Sequence, residues 1–193
     1  MRYFIGLVLI IFVFLLGVAL IFGHHGNKTA NPATPAVLPL PQYANTEATV
    51  SLTIGGVITG DDTYREIKIT VSRDHRELDI IQGYSGNIIS SNVTYNSVDA
   101  YNVFLHALDL SGFTKSHKLK SSSDPTGQCP LGNRYIYSLN QGDQTLSSLW
   151  NTNCSSSLGN FGGNSPQVIQ LFQNQITNYG TLTQNVDLSG SSS

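Results

Sequence analysis

The chain has 193 residues, of which only 11% are charged, with a formal net charge of −2. From residue 47 onward eight Lys/Arg stand against twelve Asp/Glu. With no sustained basic stripe, this balance argues against a nucleic-acid partner. Two cysteines, and three histidines (His75, His106, His117) within that region, show no paired ligand spacing, so no tetrahedral metal set is expected.

The chain begins "MRYFIGLVLIIFVFLLGVALIFGHHG". Residues 3–23 contain no charge and no proline, and as a helix they would span about 31 Å, matching a hydrocarbon core of about 30 Å. A cleaved signal peptide is the competing reading, but its apolar region is shorter and ends at a small-residue site. Here the apolar run continues past Gly17 and Ala19 through Leu20, Ile21 and Phe22. Residues 1–23 are therefore read as a single-pass signal anchor. Arg2 precedes the span and Lys28 is the nearest cation after it, which predicts a cytoplasmic amino terminus and an extracytoplasmic domain.

Residues 24–46 hold four of the seven prolines and one charge, the composition of an extended linker. Residues 47–188 form one domain's worth of chain, and 189–193 read as a disordered tail. Within the domain, period-two alternation marks "TVSLTIGG", "REIKITVS" and "RELDII" as strands with one dry and one charged face. The period then changes. "NSVDAYNVFLHALDLSGF" offers Ser97 as N-cap, an apolar stripe of Ala100, Tyr101, Phe104, Leu105 and Leu108, and Gly112 just past the end. Three more strands are predicted at "KSHKLK", "RYIYSLN" and "TLSSLW". A second helix is expected through "SPQVIQLFQNQITNY" with Ser165 as N-cap. The order β-β-β-α-β-β-β-α predicts an α+β fold, an antiparallel sheet with two helices on one face.

"RYIYSLN" and "TLSSLW" are expected to pair as a hairpin around Gly142-Asp143. That register sets Tyr135 opposite Trp150, Ile136 opposite Leu149, and Leu139 opposite Leu146. It also brings Cys129 within one diagonal position of Cys154, and in an exported domain the pair is expected as a structural disulfide. Closing a loop of about 26 residues contributes roughly 3.5 kcal/mol in the chain-entropy account.

Candidate binding residues fall in two groups. Tyr135, Tyr137 and Trp150 are expected on one hairpin face, where rings would suit a peptide or glycan if exposed and the core if not. The glycine-rich loop before the second helix presents Asn160, Phe161 and Asn164. Gly163-Asn164-Ser165 lacks the lysine of a phosphate loop, and no cofactor is expected. The carboxylates Asp61, Asp62, Glu66, Glu77 and Asp79 are read as solvated, and no nucleophile-elbow motif is present, so no catalytic residue is assigned. The leading functional reading is a membrane-anchored, extracytoplasmic, non-enzymatic module for a cell-envelope protein or polymer. The alternative is an exported hydrolase acting on wall glycan or peptide.

Overall fold

Alternating side chains in the first three strands turn one face of a sheet toward a core. The computed structural model describes residues 37–117, 124–154 and 158–190. They form strands β1 (Ala48–Gly55), β2 (Arg65–Val71), β3 (His75–Gln82), β4 (Asn87–Tyr95), β5 (Arg134–Gln141) and β6 (Gln144–Thr152). The helices are α1 (Val98–Leu110), α2 (Ser165–Gln173) and the short α3 (Tyr179–Thr183). The sheet runs β4-β3-β2-β1-β5-β6 with every neighbouring pair antiparallel. The fold class is α+β.

In register, Val50, Leu52 and Ile54 of β1 lie beside Val71, Ile69 and Ile67 of β2 and beside Leu139, Tyr137 and Tyr135 of β5. These side chains share one face and meet Tyr101, Phe104, Leu105 and Leu108 of α1 and Val168 and Phe172 of α2 in a single core. Ser97 caps α1 by accepting the amide N–H of Ala100, and Gly112 follows the helix at φ +75°. The Tyr101 hydroxyl donates to the Ala48 carbonyl at 2.8 Å, tying helix to sheet.

Several expectations need correction. The order is β-β-β-β-α-β-β-α-α, because β4 precedes α1. The second helix is capped by Asn164, whose side chain accepts from Gln167 N, and it ends at Gln173. Of "KSHKLK", Ser116 makes an isolated bridge to Phe161, while residues 118–120 lie outside the described residues. Part of the stretch read as linker is core: Leu40, Tyr43 and Ala44 are buried around a 3-10 turn at Leu40–Tyr43.

The hairpin register also differs. Gln141 pairs with Gln144 around the expected two-residue loop, but the register shifts next to Leu139/Asn140. Leu146 is the extra residue of this bulge. Beyond it Ile136 faces Trp150 and Tyr137 faces Leu149. A one-residue slip moves side chains to the other face, so Trp150 lies on the side opposite Tyr135 and Tyr137.

That second face is not simply a wet, charged surface. Trp150 is 2% exposed, and Ser51, Asp79, Arg134 and Thr152 are also buried. Asp79, expected to be solvated, has an Oδ1 without a hydrogen-bond partner among the described residues. Also among them, no helix is long and apolar enough to cross a membrane, and the segment 3–23 lies outside them.

Candidate functional site

A groove of about 780 Å³ opens between the end of the β5–β6 hairpin and α2. Tyr135 and Asn151 are register partners, so both reach the helix-bearing face there. Ser165, Pro166, Ile169, Gln170 and Gln173 line the opposite wall, spaced to occupy one side of a helix. Thr152, Asn153, Phe161 and Gly163 complete the lining near the disulfide and the loop.

No described residue lining this groove is charged. Its chemistry is rings and aliphatic carbon interleaved with amides and hydroxyls. Tyr135 is half-buried, and burial raises its hydroxyl above the ordinary tyrosine range, keeping it neutral. Behind it, the buried Tyr137 hydroxyl contacts Ser165 Oγ at 2.7 Å and donates to Asn151 Oδ1 at 3.0 Å. These bonds fix one face of Asn151 and join the hairpin to the first turn of α2.

The predicted site residues separate. Tyr135 and Phe161 line the groove. Phe161 also stacks on Tyr137 with ring centroids 4.0 Å apart, which places Tyr137 in the core behind the opening. Asn160 instead locks the edge of β6, accepting Trp150 N at 2.8 Å, and Asn164 is consumed as the α2 cap. Trp150 is buried on the far face. Sequence reasoning missed Gln170, Gln173 and Ile169. Their signal was the border between the apolar stripe and the polar side of α2, which marks a wall only once β5 is known to stand opposite.

Cys129 and Cys154 form a disulfide with Cα atoms 5.7 Å apart. The turn Cys129–Gly132 makes the approach, with Gly132 N donating to the Cys129 carbonyl at 3.1 Å and Cys129 at φ 52°. Asn153, next to Cys154, accepts Asn133 N at 2.8 Å and lines the groove. The staple therefore holds the groove's end wall.

Among the described residues one serine–histidine contact occurs, Ser72 Oγ to His75 Nδ1 at 3.0 Å, with Glu77 4.0 Å from His75 Nε2. It lies within the β2–β3 turn. Ser72 is buried, and its Oγ accepts the backbone N–H groups of Asp74 and His75 at 3.2 and 3.0 Å. That hydroxyl serves as turn geometry, not as a nucleophile facing substrate. His106 and His117 are exposed and stand apart from this contact. Asp61 accepts Tyr84 N at 2.7 Å, and Glu66 accepts the Tyr64 hydroxyl at 2.6 Å. Among the described residues no three metal-ligating side chains come together.

Fold and groove together define the class of this domain: a disulfide-bonded α+β domain with an uncharged cleft. No protein-family model matches the sequence, and no curated protein is similar to it.

Proposed function

We propose that this protein is a non-catalytic binding module, tethered by residues 3–23 and displayed outside the membrane, whose groove takes an uncharged cell-envelope polymer. A neutral glycan chain fits this chemistry best. The observation that carries the reading is the lining itself. Tyr135, Pro166 and Ile169 offer flat apolar area, while Asn151, Gln170 and Gln173 offer paired donors and acceptors for hydroxyls. A charged polymer would find no counter-charge there, and hydrolysis would need a carboxyl acid or a base-activated nucleophile, whereas the lining holds no carboxyl group and its Ser165 hydroxyl is bonded to Tyr137.

The test is binding of the full-length chain to immobilised neutral and anionic envelope polymers across a salt series. Neutral polymer is expected to bind with little salt dependence; Gln170→Ala, at an exposed position, is expected to weaken binding about 10-fold without shifting the melt, and Tyr135→Ala to weaken it about as much while also lowering the melt through lost packing. Retention on anionic polymer alone, lost with salt, would refute the reading. Release of shortened polymer would favour a hydrolase. Protease added to spheroplasts with an intact cytoplasmic membrane is expected to cleave the domain, and protection there that is lost only on permeabilisation would place the domain in the cytoplasm.

A further inference from the structure

The two edges of the sheet are treated differently. At β6, Asn160 N and Phe161 N both donate to the Trp150 carbonyl, Trp150 N donates to Asn160 Oδ1, and Gly159 bridges Asn151. The Leu146 bulge distorts the remainder of that edge. Among the described residues β4, the other edge, pairs with β3 alone.

Exposed edges are commonly protected by lysine, proline or charge. β4 reads "NIISSNVTY" and carries none of these. Its one irregularity falls at Ile89, opposite Ile80/Ile81, which leaves Ser90–Tyr95 regular. The free hydrogen-bonding phase can be read from the neighbouring pair. Asn96 N donates to the Asp74 carbonyl at 2.9 Å, continuing the β3–β4 register by one step. Antiparallel alternation then turns the N–H and C=O groups of Thr94, Asn92 and Ser90 toward β3, and those of Tyr95, Val93 and Ser91 outward. The side chains of these outward residues share the sheet face away from the helices. There Tyr95 is 84% and Val93 58% exposed.

We propose that β4 is a self-pairing edge, through which a second copy of this chain adds antiparallel about a two-fold axis centred on Val93. This register places Val93 against its own copy and Tyr95 across from the partner's Ser91. All three outward-facing residues exchange backbone hydrogen bonds, and each tyrosine ring closes over the small serine. The strand complements itself because it is neutral. The nearest acidic side chain on this face, Glu77, pairs with Val93 across β3–β4. Its two copies would lie three strand spacings apart, about 14 Å, beyond a Debye length of about 8 Å. The joined edge would bury on the order of 1,000 Å², the low end for specific association, so pairing should depend on concentration. This inference is independent of the groove, which lies on the other face.

The experiment uses the full-length chain in cells, with a photo-crosslinking phenylalanine analogue in place of Val93. Illumination is expected to give a product of twice the chain mass. The same probe in place of Val103, 70% exposed on α1, is expected to give none. With the probe in place of Tyr95, Val93→Lys and Val93→Glu should each abolish the product, and co-expression of the two should restore it. Because both positions are exposed, Val93→Lys is expected to keep the parent melt, and Val93→Glu, which sets a second carboxylate across from Glu77, to lower it only slightly. Monomer alone, a product of any other mass, or dimer persisting in the Val93→Lys chain would overturn the proposal.

Discussion

The Tyr137 hydroxyl lies 2.7 Å from Ser165 Oγ, so one buried phenol joins β5 to the first turn of α2. Tyr137→Phe strips Ser165 and Asn151 of this partner and is expected to cost about 1–2 kcal/mol. Ser165→Ala is expected to cost about 0.5–1.5 kcal/mol. Urea unfolding of both single variants and the double variant checks the link. The double loss should be smaller than the sum, and strict additivity would mean that the two hydroxyls do not interact.

Alkaline pH should unfold this domain early. Burial, reinforced by the hydrogen bond to Glu66, pushes the Tyr64 hydroxyl up to about 12. Burial also raises Tyr101 and Tyr137 well above their ordinary value. A raised folded-state value favours the neutral form, so the stability it contributes is whole below about pH 10, where unfolded tyrosine titrates. It is lost as pH climbs through the folded values, because the unfolded chain releases its protons first. Urea midpoints are expected to be flat from pH 7 to 9 and to fall steeply above 10. Tyr64→Phe should lessen that slope between pH 10 and 12, and an unchanged slope would contradict the assignment.

Replacing Cys129 and Cys154 together by serine is expected to lower stability by about 2–4 kcal/mol while preserving the sheet. Thiol labelling of native and denatured protein, followed by comparative melts, provides the check. Two reactive thiols in the native chain, or an unchanged melt in the double variant, would contradict the structural role.

Gly132→Ala tests the turn that delivers the staple. A Cβ there would press first on Asn153 Oδ1, the acceptor of Asn133 N, and would stand 2.7 Å from Cys129 Sγ and 2.9 Å from Cys154 Sγ, closer than side-chain carbons tolerate. A loss of about 1–3 kcal/mol is expected. In the Cys129→Ser, Cys154→Ser background the penalty should shrink only in part, because the smaller oxygens leave room while the contact with Asn153 Oδ1 remains. An equal penalty in both backgrounds would place the whole strain at Asn153 and none at the sulfurs.

The sequence revealed those elements whose burial is one-sided. β1 to β3 alternate because one face meets α1, and α1 announces itself through Ser97, its stripe and Gly112. β4 stayed hidden for the complementary reason. It is exposed along its length, so nothing imposes an apolar period, and the adjacent pair Ile88-Ile89 obscures what alternation remains. The hairpin loop at Gly142-Asp143 was readable from its turn chemistry, whereas the Leu146 bulge was not. That single residue moved Trp150 out of the supposed aromatic row. The groove was half legible: Tyr135 and Phe161 were named, but the glutamine wall of α2 depends on which strand faces it. The cysteines were the clearest signal, since the Gly142-Asp143 turn alone nearly closes the distance between them.

The chain segment folded over β6 has a consequence for growth. A sheet open at both edges has a valence of two and can extend without limit along its hydrogen bonds, the geometry of fibrils. Here Gly159, Asn160 and Phe161 cap one edge with the protein's own backbone, leaving a valence of one. Any strand that joins β4 is then the last addition in that direction. Loosening the 159–161 cap, rather than altering β4, is the change that would turn this domain into a polymerising unit.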